Sequence, residues 1–252
     1  MNPYTSFAEF YDQLTENVDY PKRAEYICRL LRRHGHTMGL TLDLACGTGS
    51  LTVALAKQGV DIYGADASAA MLTIAKEKAA HENLELLFLC QRMEKLDLFG
   101  TVNTVLCTLD SVNHITEPAI LQRAFARIAL FLEPGGVFVF DVNTPYKHRH
   151  ILQNNTFVYE TETVYCVWQN ALESKTNLVE ITLDFFCKQQ NGDYRRLCES
   201  FCERAYELAE LTQLAEAAGL QMAAAYNDMT LEPATQENER WVIVCKKPAQ
   251  NK

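Results

Sequence analysis

Thr41-Leu42-Asp43-Leu44-Ala45-Cys46-Gly47-Thr48-Gly49-Ser50, followed at once by Leu51, Val53, Ala54, Leu55 and Ala56, decides how the chain is read. The apolar opening, the run of small residues and the helical run behind it predict a buried strand, a tight turn and the start of a helix. Such a turn lets a ligand lie on the backbone, because Gly47 and Gly49 can adopt dihedrals that a Cβ forbids. The helix starting near Gly49 offers free N–H groups and a positive dipole end to an anionic group. Asp43, close before the turn, would repel a pyrophosphate and suit an ammonium. The stretch therefore asks for a small ligand that carries both signs.

Downstream, Val60-Asp61-Ile62-Tyr63-Gly64-Ala65-Asp66 reads as a second strand ending in a carboxylate, placed to accept hydrogen bonds from ribose hydroxyls. Together with Ala67-Ser68, Met71-Leu72 and Leu132-Glu133-Pro134-Gly135-Gly136-Val137-Phe138-Val139-Phe140-Asp141, these motifs resemble the cofactor core of class I S-adenosylmethionine-dependent methyltransferases. The resemblance covers roughly residues 40 to 144 and, more weakly, 204 to 247. It implies an α/β fold: a doubly wound, mostly parallel seven-stranded Rossmann-like sheet. It further implies S-adenosyl-L-methionine as cofactor and S-adenosyl-L-homocysteine as product. By family position Tyr20, Asp43, Ala45, Cys46, Gly47, Gly49, Asp66, Ala67, Met93 and Leu109 would hold the cofactor. The rival reading is a dinucleotide-binding oxidoreductase, since Gly47-Thr48-Gly49-Ser50-Leu51-Thr52 is most of a G-x-G-x-x-G, with Thr52 where that fingerprint wants glycine or alanine. A tight turn without a ligand is the third.

Composition narrows the class. The 252 residues are 48% hydrophobic and 22% charged, room for one large core or a domain with an insertion. No apolar run approaches the ~20 residues of a membrane span, and the first residues have neither a basic start nor an apolar stretch, so a cytoplasmic protein is expected. A formal charge of −9 without a basic run argues against nucleic acid as partner. Nine cysteines with no C-x-x-C pair read as small buried hydrophobes, and no metal site is indicated.

In chain order, residues 1–36 read as a helical arm over the cofactor, with Tyr4, Phe7, Phe10, Tyr11 and Tyr20 as its aromatics and Pro21 opening a helix. In small-molecule members of the family such an arm places a tyrosine near sulfonium or substrate, which makes Tyr11 and Tyr20 candidates; both equally suit anchoring. Residues 37–145 and 204–252 form the expected core. Within it a helix is predicted over 67–80, strands over Leu84–Leu89 and Val102–Cys107, and a helix over Pro118–Phe131. Arg92 stands where family members commonly carry an aspartate near the adenine, and an arginine cannot accept that hydrogen bond. In the loop Thr108–Ile115, Leu109 would lend main chain to the cofactor, while Asp110, Asn113 and His114 would face the substrate.

From residue 146 to 203 apolar and polar residues alternate over Thr156–Gln169, Asn177–Lys188 and Tyr194–Arg204, with a tight turn at Asn191-Gly192. An inserted antiparallel β-sheet of three strands is expected, serving as a lid or as a homodimer surface, with Trp168, Phe185 and Tyr194 as aromatic walls. A helix over 205–219 and a strand pair over 220–246 close the chain.

Methyl transfer from a sulfonium is an in-line displacement, so positioning and exclusion of water dominate. A base is needed only where the acceptor holds a proton, and His114 and Tyr11 are the candidates. The expected acceptor is a small molecule, an amine or a hydroxyl. An RNA or protein acceptor is the alternative, although Thr108–Ser111 lacks the Asn/Asp-Pro-Pro-aromatic signature of many such enzymes.

Overall fold

The computed structural model describes residues 8–249 apart from 16 and 174; Tyr4 and Phe7 lie outside the described residues. Helix α1 (Ala8–Leu14) precedes α2 (Tyr20–Arg33), whose first turn carries Pro21 and is capped by Asp19 accepting from the Lys22 amide. Then follow β1 (Thr41–Leu44), α3 (Ser50–Lys57), β2 (Ile62–Asp66), α4 (Ala69–His81), β3 (Phe88–Cys90), β4 (Val102–Cys107), α5 (Pro118–Phe131) and β5 (Leu132–Asn143). Strands β6 (Thr156–Glu160), β7 (Val164–Glu173), β8 (Leu178–Lys188) and β9 (Tyr194–Arg204) come next, before α6 (Leu208–Ala217), β10 (Gln221–Asn227) and β11 (Arg240–Lys246).

The expected seven-stranded sheet is present in the order β10-β11-β5-β4-β1-β2-β3. All its pairings are parallel except those of β11, which runs antiparallel to β5 and β10. The chain builds outward from β1 to β3 and then crosses back to β4. The crevice between the carboxyl ends of β1 and β4 is therefore the topological switch point, where open α/β sheets bind ligands.

Strand residues alternate between two helical layers, as a pleat buried on both faces requires. Leu42, Leu44, Val105, Cys107, Phe138, Phe140 and Ile243 join α5 and α6 in one cluster, whereas Leu106, Val137, Val139, Val242 and Val244 join α2 and α3 in the other. Phe138 and Phe140 stack at 4.8 Å with Phe125 of α5 tilted against both. Each such burial is worth about 1.5–3 kcal/mol, enough to fix which face each strand residue takes.

The insertion holds four antiparallel strands, order β6-β7-β8-β9, instead of three. The run Thr156–Gln169 folds back at residues 161–163, so that Phe157 faces Trp168 across a hairpin. Alternation survives the fold, which hides the turn from a period-two reading. One face of this sheet (Val164, Cys166, Val179, Ile181, Leu183, Phe185) packs on Ala8 of α1 and Met71 of α4. Two further boundaries differ from expectation. Ser68 accepts from the Met71 amide and caps α4, which starts at Ala69. The third strand is limited to Phe88–Cys90. A π-helical turn at Lys147–Leu152, which no periodicity announced, links β5 to the insertion. Among the described residues no helix is long and apolar enough to cross a membrane.

Candidate active site

Three residues of the turn after β1 take left-handed dihedrals: Ala45 (φ 57°), Gly47 (φ 54°) and Gly49 (φ 72°). Gly49 is the N-cap of α3, and a Cβ there would lie 2.9 Å from the Ala75 Cβ on α4. Glycine is required both for the dihedral and for the packing. Asp66 ends β2 beneath this turn, its Oδ2 accepting from the Gly47 amide at 2.9 Å and its Oδ1 from the Ser68 amide at 2.7 Å. Asp43, 2% exposed, accepts from Thr52 Oγ1 at 2.6 Å. Burial, eased by that hydrogen bond and reinforced by the Asp66 charge, pushes its carboxyl up to about 7. Thr52 thus departs from the dinucleotide fingerprint because it holds a buried carboxylate.

A cavity of about 30 Å³ opens at the switch point, lined by Tyr11, Tyr20, Asp43, Ala45, Cys46, Gly47 and Leu109 together with Thr48, Ser50, Leu51, Thr108 and Ser111. Of the residues expected to hold a cofactor, Gly49, Asp66, Ala67 and Met93 stand outside this lining. Gly49 and Asp66 shape the turn from below, and Ala67 is exposed at the helix entry. The Met93 side chain packs into the core, its sulfur 3.9 Å from Cys107 Sγ. Arg92 is turned outward and its Nε donates to Glu94. The lining holds one carboxylate, main chain and hydroxyls, and no lysine or arginine. The carboxylate fits an ammonium and would repel a diphosphate.

The loop after β4 is held by a residue the sequence reading left without a role. Leu109 (φ 58°) and Asp110 (φ 55°) are consecutive left-handed residues, and their amides donate to Asp141 Oδ2 at 2.8 Å and Oδ1 at 2.7 Å. Asp141, 1% exposed on β5, also pairs with Arg240 of β11 and, at 3.4 Å, with Arg23 of α2. Arg240 in turn reaches Asp110 at 2.6 Å. These bonds fix the conformation of Leu109, which lines the cavity.

On the far side of Asp110, His114 and Phe201 of β9 meet with ring centroids 5.0 Å apart. Glu203, two residues beyond Phe201 and 3% exposed, lies 3.7 Å from His114 Nε2 and 3.5 Å from His148 Nε2. Burial disfavours its charge, yet the two imidazoles and the Asn143 amide outweigh it and hold the carboxyl well below the usual range. Burial also keeps the Tyr11 hydroxyl protonated, far above a phenol's ordinary value. Asn113 does not face the substrate side as expected. It is fully buried, and its side chain ties Asn143 to Arg204. Phe185 is buried against Phe10, and Tyr194 is exposed at the hairpin end, so neither forms an aromatic wall of the crevice.

Helix α1 closes over this region. Asp12 accepts from Thr48 Oγ1 at 2.7 Å and Ser50 Oγ at 3.3 Å, and pairs with Lys78 of α4 at 2.7 Å. A 30 Å³ cavity admits about one water, against the 300–1,000 Å³ of ordinary ligand sites, so a nucleoside does not fit with α1 in this position. Partly exposed pairs contribute about 0.2–1 kcal/mol each. Asp12→Asn should consequently speed limited proteolysis of the α1–α2 segment by roughly fivefold, as a loss near 1 kcal/mol implies. S-adenosylhomocysteine should restore protection. Cleavage at the parent rate would show that Asp12 does not hold the helix down.

Known proteins match this architecture. A family model described as a methyltransferase domain matches residues 41–136. A protein of Geobacillus sp. (strain WCH70) named as a methyltransferase is 33% identical over 245 residues, 97% of this chain and 99% of that one. The crystal structure of an S-adenosylmethionine-dependent methyltransferase from Clostridium acetobutylicum ATCC 824 superposes with a TM-score of 0.87 at 30% identity, over 98% of this chain and 99% of the other. Over a shorter span, 53% of this chain and 52% of the relative, the dTDP-3-amino-3,6-dideoxy-alpha-D-glucopyranose N,N-dimethyltransferase of Streptomyces fradiae is 32% identical. With a glycine turn at the switch point and relatives matched over nearly the whole chain, the chain belongs to the S-adenosylmethionine-dependent methyltransferases.

Proposed function

We propose that this enzyme methylates a small-molecule amine or hydroxyl, with His114 as the group that takes the acceptor's proton. The observation that carries the proposal is the grouping of His114, Asp110 and Glu203, whose ligating atoms lie within 4.8 Å of one another, beside the loop that presents Leu109. When bound, S-adenosylmethionine supplies an electrophilic methyl carbon on a sulfonium. The residues assigned to holding it are Tyr20, Asp43, Ala45, Cys46, Gly47, Gly49, Asp66, Ala67, Met93 and Leu109. Asp43 faces the ammonium, Asp66 the ribose, and the main chain of Met93 and Leu109 the remaining polar edges. Tyr11 orients the acceptor through its hydroxyl, and α1 with the inserted sheet keeps water out, which strengthens every charge interaction inside.

In this reading residues 1–36 are the arm, 37–145 and 204–252 the catalytic core, and 146–203 the lid. Cover by α1 and the sheet favours a compact acceptor over a polymer, and the Streptomyces fradiae relative is named for an amino sugar. Incubation with methyl-labelled S-adenosylmethionine and separated metabolite, RNA and protein fractions of bacterial lysate should put label into the metabolites, and His114→Asn should abolish it. Label confined to RNA or protein would overturn the assignment.

A further inference from the structure

Glu203 is the carboxylate that the inserted sheet delivers to the core, and it arrives between two histidines. Its Oε1 is 3.7 Å from His114 Nε2, its Oε2 is 3.5 Å from His148 Nε2, and Asn143 Nδ2 donates to Oε2 at 3.1 Å. His148 is fully buried, and among the described residues neither of its ring nitrogens makes a hydrogen bond. A buried polar group left so costs about 1–3 kcal/mol, which demands a reason for a histidine here. Both contacts are longer than a finished hydrogen bond, as is common at catalytic groups before substrate binds.

The relative placement of these side chains is fixed by main chain. Asn113, the neighbour of His114, donates through Nδ2 to the Asn143 and Arg204 carbonyls, both at 2.9 Å, and accepts from the Asn143 amide. The Arg204 amide returns a bond to the Asn113 carbonyl at 2.9 Å. Residues 113, 143 and 204 are thus stitched together, so His114 and Glu203 leave a shared joint from opposite sides. The charged and titratable neighbours are Asp110 of the β4–α5 loop, Arg240 of β11, Lys147 beside His148, and Asp66, whose carboxyl His114 pulls down against its burial.

We infer that Glu203 is a positioning residue that holds the Nε2 proton of His114, with His148 as the second imidazole on the same carboxylate, so that Nδ1 is the nitrogen that accepts the proton. The imidazolium that forms when the acceptor loses its proton to Nδ1 then lies beside a buried carboxylate, which stabilises it. The base is complete only when β9 is packed on the core, which gives the inserted sheet a chemical role besides cover. The inference rests on His114 being the base.

The test needs no acceptor. In histidine-15N-labelled protein with S-adenosylhomocysteine, at a pH of about 8.5 where ordinary imidazoles are neutral, long-range 1H–15N spectra report the tautomer of each of the six histidines. His114→Asn and His148→Asn assign the signals. The parent protein should show Nε2–H on both His114 and His148. Glu203→Gln is isosteric but offers one acceptor and one donor, so one of the two imidazoles should switch to Nδ1–H. An unchanged pair of tautomers in Glu203→Gln would overturn the inference. Should that variant fail to fold, Nδ1–H on His114 in the parent protein would overturn it equally. One equivalent of divalent cation retained through dialysis and lost with Asp110→Asn would also overturn it, because the same three side chains would then be ligands. Label transfer to metabolites persisting in His114→Asn removes the base and the inference together. Transfer lost in His114→Asn with tautomers indifferent to Glu203 removes the Glu203 role alone.

Discussion

Asp141→Ala should destabilise the protein by about 2–6 kcal/mol, read as a lower midpoint in urea unfolding, at about 1–3 kcal/mol for each of the two amides left without an acceptor. The carboxylate is 1% exposed and serves four partners: the amides of Leu109 and Asp110 and the guanidiniums of Arg240 and Arg23. Arg240 keeps Asp110, and Arg23 keeps Asp228 at 3.0 Å, so neither cation is stranded. The larger loss is at the two amides. Left-handed dihedrals at consecutive non-glycine residues cost of order 1–3 kcal/mol each and persist only where the surroundings enforce them. Without Asp141 the loop should relax, Leu109 should leave its place in the cavity lining, and S-adenosylhomocysteine affinity should fall at least tenfold. Asp141→Asn retains one acceptor and should show an intermediate loss. A midpoint within 1 kcal/mol of the parent, with affinity unchanged, would show that Asp141 does not brace the loop.

The same contacts explain what could be read from the chain and what could not. The turn from Ala45 to Gly49, the carboxylate of Asp66 and the helix opening at Pro118 are local: their residues are near neighbours in sequence and their chemistry is set by backbone geometry. The alternation Val137–Phe138–Val139–Phe140 announces a strand buried on both faces, which is what β5 is. Asp141 looks from sequence like the polar end of that strand. Its partner Arg240 is 99 residues away, and only the antiparallel register of β11 on β5, which sets Val242 opposite Asp141, brings the two together. Glu203 lies in a strand of the sheet expected to be a lid or a dimer surface, and His148 sits on a π-helical turn that has no periodic signature. Thr52 shows the opposite error. It looked like a flaw in a glycine fingerprint, and its hydroxyl turns out to hold Asp43.

Asp43→Asn should raise stability and weaken the cofactor in one step. The Asp43 carboxyl stands at about 7 in the folded chain, above its ordinary 3.8, because burial opposes the charge more than Thr52 relieves it. A raised carboxyl favours the protonated fold. That contribution is complete below about pH 4 and is lost as pH rises through about 7, leaving the ionised protein weaker by about 4 kcal/mol at one pKa unit per 1.36 kcal/mol. An asparagine carries no such penalty, so Asp43→Asn should melt higher than the parent at pH 8, less so at pH 5, and much the same only below about pH 4. Ligand binding runs the other way. The ammonium of S-adenosylhomocysteine needs the carboxylate, so binding to the parent at pH 6 must expel a proton, seen as a dependence of calorimetric heat on buffer ionisation. Affinity should climb toward tenfold per pH unit below 7 and level off above it. In Asp43→Asn the pH dependence should vanish and the affinity stay at least tenfold lower at pH 8. A variant that loses stability and affinity together would mean that Asp43 serves the turn and not the ligand. An affinity in the parent that ignores pH from 5.5 to 8 would exclude Asp43 as the ammonium's partner.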